Sequence, residues 1–376
     1  MITVSFDLED KRIRRIYASA RFPSEQKGNI FYDSEIFPNL KFAEEMPKAL
    51  ECLHAVVAFR PSHILLSRDV LGGKPLYYNA NGISSYRSNL EMPKEVLPGE
   101  ILKIGYEGEI LQRRTFSFEE VMKREDKSLE EIEEEIEKEL TSLKIRNYCI
   151  AFSGGIDSTL LASLYDLPLI CITASDNEEE WARKVANEVS RDLEIRRIGE
   201  EEIKRAYYEV PGIIEDSNFL QLSIAIPVHL TMKLAKELGY EGVLMGQGAD
   251  ELFGGYKRYE KLSGEVLEKA LLEDLKNIGA KNLVRDTKIS YFNEIKLILP
   301  YLNWKIIKNC LNIPSEMKVK WIEGKCVRKY FLRKIAEKHL PGEVVWREKK
   351  AIQYSTGVAR ILRKLGCSQT GKDLGS

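Results

Sequence analysis

Two short stretches place glycine, serine and carboxylate residues where they could hold a chain of phosphates. Residues 151–161 read AFSGGIDSTLL: an apolar run enters Ser-Gly-Gly, then Asp157 and Ser158, then apolar residues at helical spacing. Glycine lets a backbone approach a ligand closely, and the N–H groups that open a helix attract anions. Ser153, Gly154, Gly155, Asp157 and Ser158 are therefore candidate phosphate-cradling residues. The loop lacks the Lys-Ser/Thr ending of a Walker loop and is no dinucleotide fingerprint. By itself, Ser-Gly-Gly also reads as an ordinary turn. The second stretch, residues 244–256, reads LMGQGADELFGGY and sets Asp250 and Glu251 among glycines. Asp157 and Asp250 would face each other if the two stretches end neighbouring strands. Two carboxylates beside phosphates suit Mg²⁺. Asp250 also reads as the N-cap of the next helix. The metal reading is preferred because both motifs occur in the order one nucleotide site needs.

The elements that must position these residues follow from periodicity. Up to about Thr115 the pattern is short strands (TVSF, HAVVAF, HILLSRD) and tight turns (NANG, YEGE), a β-rich domain spanning 1–115. A connecting helix lies within 116–146. Leu129, Ile132, Ile136, Leu140 and Leu143 repeat at three and four, Ser128 and Glu131 have capping-box spacing, and the acidic run is the solvated face. From 147 to 376 strands and helices first alternate. NYCIAF, LPLICITA, EIRRIG and GVLMG read as strands, and EEEWARKVANEVSRDL as a helix. Pro227 is expected to start the helix VHLTMKLAKEL and Gly239 to end it. This alternation predicts an α/β fold with a parallel sheet and helices on both faces. In such sheets ligands sit beyond the carboxyl ends of the strands, which is where both motifs fall. After about Glu260 the chain reads as mostly helical.

Composition excludes several classes. The 376 residues carry a net charge of −1, without the basic footprint of a dedicated nucleic-acid binder. Lys and Glu dominate the 31 % charged residues while Asn and Gln are sparse, a thermophile-like balance. The 6 cysteines form no C-x-x-C pair and the 4 histidines show no ligand spacing, so packed, reduced thiols are expected. No run is long enough to span a bilayer and MITVSFDLEDKRIRR is not of signal-peptide type, so a cytoplasmic protein without a membrane partner is expected.

Two central segments carry a family resemblance. SGGIDS resembles the pyrophosphate loop of N-type ATP pyrophosphatases, and GQGADELFGGYKRY resembles the second signature of the asparagine synthetase family, which includes the β-lactam synthetases. GKCVRKYFLRKIAEKHLPGEVVWREKKAIQYSTGV resembles that family's C-terminal helical segment with its R-x-K. LLSRDVLGGKPLYY and LPGEIL resemble its N-terminal glutaminase domain. The resemblance covers most of the chain. It implies an ATP-pyrophosphatase synthetase domain (147–376) joined to a shortened, β-rich, Ntn-hydrolase-like domain. It further implies an ATP- and Mg²⁺-dependent enzyme that activates a small-molecule carboxylate as an acyl-adenylate, releasing pyrophosphate, for attack by ammonia or an amine. By that resemblance Ser153, Gly154, Gly155, Asp157 and Ser158 cradle pyrophosphate and Asp157 and Asp250 hold Mg²⁺. Backbone near Ile172 and Gly246 meets the adenosine, and Lys349 of WREK neutralises charge as it develops. Lys349 otherwise reads as a surface lysine beside Lys350.

The chain also departs from the family pattern. Glutamine-dependent members begin Met-Cys; this chain begins Met-Ile-Thr, and no cysteine precedes Cys52. Thr3 reads as a strand residue, so no glutaminase activity is expected. Gln247 stands where asparagine synthetases have Glu and β-lactam synthetases have Tyr; it cannot titrate but can orient by hydrogen bonds. Glu294 is a candidate general base or a solvated helix charge. IKLILPYLN after it lacks the family's arginine, which argues against plain aspartate as substrate. The leading reading is an amide-forming ligase of the asparagine synthetase type without glutaminase activity, with ammonia-dependent asparagine synthesis as its default version. The alternatives are a β-lactam-synthetase-like or other amide ligase on a different acid, a tRNA-modifying adenylase, and a non-catalytic ATP-binding paralogue. The first domain is expected to be a packing platform, serving a homodimer or walling water from the synthetase site.

Overall fold

The computed structural model describes residues 1–9, 12–34, 52–347 and 356–366. By contacts the chain divides into two compact units, one of Met1–Lys123 with Lys276–Glu294, the other of Arg124–Leu275 with Ile295–Ser376.

The first unit is built on two sheets. Strands β1 (Ile2–Glu9), β2 (Arg12–Ala20), β7 (Tyr77–Asn79), β8 (Gly82–Ser84) and β9 (Lys94–Glu95) form one, in the order β2-β1-β8-β7-β9. Strands β3 (Glu25–Lys27), β4 (Ile30–Ser34), β5 (His54–Phe59), β6 (His63–Arg68), β10 (Glu100–Gly105) and β11 (Ile110–Thr115) form the other, in the order β11-β10-β6-β5-β4-β3. Their pairs are antiparallel, so side chains alternate between faces. Ile2, Val4 and Ile83 of the first sheet join Val57, Leu66 and Leu102 of the second in one core. The sequence reading placed Lys276–Glu294 with the later part of the chain. In the structure this segment groups with the first unit, fixed by contacts no local pattern reveals. A Cβ on Gly279 would lie 1.8 Å from the Leu71 carbonyl oxygen, Thr287 donates to the Gly73 carbonyl at 3.1 Å, and Tyr291 donates to the buried Asp33 carboxylate.

The second unit holds a five-stranded sheet of β12 (Tyr148–Ala151), β13 (Leu169–Thr173), β14 (Leu193–Arg197), β15 (Gly242–Leu244) and β16 (Lys296–Ile298), in the order β14-β13-β12-β15-β16. Every pair is parallel, as the strand-helix alternation predicts. Strand β13 is buried throughout, which is why LICIT reads as an unbroken apolar run. The helix Leu129–Leu140 has the expected capping box between Ser128 and Glu131, and it buries Ile132, Ile136 and Leu140 completely.

Two expectations change. Pro227 does not start a helix but lies inside Phe219–Glu237, which Asn218 caps by accepting from the N–H groups of Leu220 and Gln221. Tertiary burial of Ala225, Ile226, Val228 and Leu230 around the proline outweighs its local cost. Gly239 does end this helix, with φ at +83° and Tyr240 N–H returning to the Ala235 carbonyl at 3.0 Å. The region after Glu260 is not helical throughout either. Lys296–Ile298 adds the edge strand β16, and β17 (Val319–Ile322) pairs with β18 (Lys325–Arg328) as a hairpin. Strands of three or four residues are too short for a periodicity to declare itself.

Candidate active site

Both motifs sit at the carboxyl ends of adjacent central strands, since β12 pairs with β15. Beyond β12 the chain turns through Ser153, Gly154 and Gly155 into the helix Ile156–Leu164. Gly154 has φ at +65°, and a Cβ there would lie 2.7 Å from the Trp181 ring. The Trp181 indole N–H donates to the Gly154 carbonyl at 2.9 Å. Gly155 is the N-cap, extended, with no side-chain cap bond to the first helical N–H groups, and its own N–H donates to the Ser153 hydroxyl at 3.4 Å. The two serines differ. Ser153 is exposed, whereas Ser158 is buried, with its hydroxyl accepting from Ser153 N–H at 3.3 Å and donating to the Gly155 carbonyl at 3.2 Å. Ser158 braces the loop from inside, while the exposed Ser153 hydroxyl accepts from Gly155 N–H at 3.4 Å and lies 3.5 Å from the Ser158 hydroxyl.

Beyond β15 the backbone passes close against the first loop. A Cβ on Gly246 would fall 2.8 Å from the Asp157 Cβ, so only glycine allows this approach. Gly248, with φ at +91°, is the N-cap of the helix Ala249–Phe253. Asp250 therefore lies inside that helix, and its alternative reading as a cap falls away. The half-buried Gln247 lies between these glycines.

A third residue completes the cluster. Lys329 is fully buried, with φ at +57°, and caps the helix Tyr330–Ala336. Its amine binds the Asp157 carboxylate and lies 2.9 Å from Asp250 Oδ1. Both carboxylates thus converge on one cation. Gly255 makes room for this: a Cβ there would meet Asp250 Oδ1 at 1.7 Å and Lys329 Cε at 2.3 Å. Tyr301, fully buried, donates to the Asp157 carbonyl at 2.8 Å, and burial raises its phenol well above the usual value. Arg333 is lowered by burial, with Asp157 opposing, and its guanidinium bonds the carbonyls of Arg328, Val345 and Arg347.

The remaining expected site residues scatter. Ile172 is buried near the end of β13, the strand next to β12. Glu294 is exposed in the first unit, where it ends the helix Val284–Asn293 in a left-handed conformation at φ +51°. Lys349 lies outside the described residues. Its flanks are described: Arg347 stacks over Trp181 at 4.0 Å and pairs with Glu178 at 3.2 Å, while the Thr356 carbonyl accepts from Ala174 N–H at 2.9 Å, just past β13. Sequence reasoning missed Lys329 and Trp181. Lys329 lies in GKCVRKYF, where one lysine among 57 basic residues gives no local signal.

The second unit is thus a parallel α/β domain whose glycine loops and carboxylates meet at the strand tips. The asparagine synthase family pattern matches residues 143–268 and 260–367, and the chain belongs to that family. A putative glutamine-hydrolyzing asparagine synthetase of Methanocaldococcus jannaschii is 28 % identical over 89 % of this chain and 74 % of its own length. Asparagine synthetase B (glutamine-hydrolyzing) of Escherichia coli is 25 % identical over 84 % of this chain and 63 % of its own. The chain spans only 39 % of the root asparagine synthetase of Pisum sativum, at 27 % identity over 56 % of this chain. A solved ammonia-dependent NAD synthetase of Campylobacter jejuni is similar over 42 % of this chain and 79 % of that one, at 16 % identity and a TM-score of 0.26, a score that carries no functional weight. Among the described residues, no helix is long and apolar enough to cross a membrane.

Proposed function

We propose that the protein is an ATP-dependent, AMP-forming amide ligase that adenylates a small-molecule carboxylate for attack by ammonia or an amine. The observation that carries this reading is the convergence of Asp157, Asp250 and Lys329 beside an uncapped helix N-terminus. In the reaction, a carboxylate oxygen attacks the α-phosphorus of ATP and pyrophosphate leaves. The nitrogen then attacks the acyl carbon, AMP leaves, and the nitrogen gives up a proton.

The donor set fits Mg²⁺. Two carboxylates already share one cation, and Mg²⁺ is usually held by one or two carboxylates together with substrate phosphates. Asp157 and Asp250 would hold the ion, and when bound it supplies charge neutralisation for the phosphate oxygens. The protein cluster alone has a formal charge of −1; with a divalent cation it becomes +1, which complements pyrophosphate. Ser153 and the N–H groups opening Ile156–Leu164 would bind the leaving pyrophosphate, with Gly154, Gly155 and Ser158 shaping the loop. Backbone near Ile172 and Gly246 would receive the adenosine. Lys349 is proposed to offset charge on the tetrahedral intermediate, and Gln247 to orient the nitrogen nucleophile. Gln247, in place of an acid, favours a carboxylate other than plain aspartate.

The test is exchange of labelled pyrophosphate into ATP with Mg²⁺ across a panel of carboxylates that includes aspartate. Exchange with one acid is expected, and Asp157→Ala and Asp250→Ala should each lower it by at least ~100-fold. Full activity in either variant refutes the site. Supplying nitrogen as ammonium and as glutamine in parallel tests the source: amide formation with ammonium and no glutamate release is the expected result.

A further inference from the structure

A second pocket lies in the same unit, lined by Lys318, Arg124, Glu251, Glu268 and Ser315 with an apolar wall that includes Leu271, Leu275 and Ile313. The pocket is partly open to solvent. Its polar groups are committed elsewhere, with one exception. Arg124 bonds the Glu268 carboxylate. Glu251 accepts from the Tyr256 hydroxyl at 2.5 Å. Ser315 donates to the Gly264 carbonyl at 3.5 Å. Lys318 is only 7 % exposed, and its amine makes no hydrogen bond or ion pair with any described residue. Burial lowers it from 10.5 to about 8; the Cys310 thiol opposes this, the Arg124 guanidinium adds to it, and the Glu268 carboxylate, itself bonded to Arg124, opposes it. A buried amine held in no direct ion pair is costly, and an anion entering against it relieves that cost.

The chemistry of the walls narrows the anion. One unpaired cation calls for one negative charge. A dianion would bring excess charge beside Glu251 and Glu268. The leucine and isoleucine wall offers nothing to an inorganic ion, whereas it suits a short alkyl chain. We propose that this pocket binds a short-chain monocarboxylate, its carboxylate on the Lys318 amine and its alkyl chain against Leu271, Leu275 and Ile313. The helix Ala249–Phe253 carries Glu251 and Leu252 into the pocket wall and Asp250 into the Lys329 cluster, so a bound carboxylate rests on the helix that also holds a proposed metal ligand.

The test is titration of the full chain with sodium butyrate at constant ionic strength, read by calorimetry and thermal shift, without ATP or Mg²⁺. Because neither is present, the outcome is independent of the proposed ligase activity. Saturable binding is expected, weakened at least ten-fold in Lys318→Met and not reproduced by chloride or sulfate. No saturable binding in the wild type, equal binding in Lys318→Met, or equal effects of chloride would overturn the proposal. If Lys318→Met fails to fold, NMR of the wild type with ¹³C-methylated lysines decides. The Lys318 signal should titrate at higher pH when butyrate is present, and an unchanged titration overturns the proposal.

Discussion

Replacing Lys329 by methionine removes the cation while keeping an unbranched chain of similar length. In the native protein this amine has no exposure and serves two carboxylates, Asp157 and Asp250, whose side chains are 18 % and 22 % exposed. Removing one partner of a buried ion pair typically costs about 3–5 kcal/mol, because the charge left behind has lost its compensation. Partial exposure of the two aspartates lets water recover some of that loss, so about 3 kcal/mol is expected, a sizeable share of the ~5–15 kcal/mol that holds a typical protein folded. The assay is urea denaturation of wild type and Lys329→Met, with and without Mg²⁺. The midpoint should fall with an unchanged slope. Mg²⁺ should restore part of the lost stability in the variant and do less in the wild type, because in the variant it takes the place of the missing amine. A loss below about 1 kcal/mol, within the range of an exposed ion pair, would refute the claim that Lys329 holds the cluster together. Absence of Mg²⁺ rescue would refute the claim that the two aspartates can share a metal.

Three further changes test other parts of the structure. Gly255→Ala should abolish pyrophosphate exchange, since the new Cβ would lie 1.7 Å from Asp250 Oδ1, whereas Gly199→Ala, with nothing within 4 Å, should keep it; equal activities would show that the Gly255 contact is unimportant. Trp181→Phe removes the bond to the Gly154 carbonyl but keeps a ring under Arg347. A hydrogen bond nets about 1 kcal/mol, so ATP affinity should fall about five-fold with little change in turnover, and unchanged affinity would sever Trp181 from the loop. Lys318 binds fewer protons folded than unfolded between pH 8 and 10.5, so its penalty is full below pH 8 and is relieved as pH rises through that window. Lys318→Met should therefore be more stable than wild type by about 3 kcal/mol at pH 7, with the gap closing towards pH 10.5 in paired denaturation curves; a pH-independent gap would contradict this.

The sequence by itself determined what local backbone chemistry can determine. Ser-Gly-Gly before an apolar helix and Gly-x-Gly-Ala-Asp after an apolar strand announce loops at strand ends. Both loops lie there, with glycines at Gly154 and Gly248 taking the positive φ that other residues resist. Ser128 with Glu131 announced a helix start, and Gly239 a helix end, because caps act within one turn. Tertiary structure decided everything that depends on which distant groups share a buried space. Pro227 continues a helix that its local preference would begin, because the surrounding residues are buried. Lys296–Ile298 becomes a strand because β15 supplies its partner. Lys276–Glu294 joins the first unit through single contacts to Leu71, Gly73 and Asp33. Lys329 stands 172 residues from Asp157 and meets two carboxylates, whereas Lys318 is also buried but forms no direct ion pair, the nearby Glu268 being bonded to Arg124. Identical side chains acquire opposite roles because pairing of a charge is set by the long-range fold, whereas turns and caps are set by the next few residues.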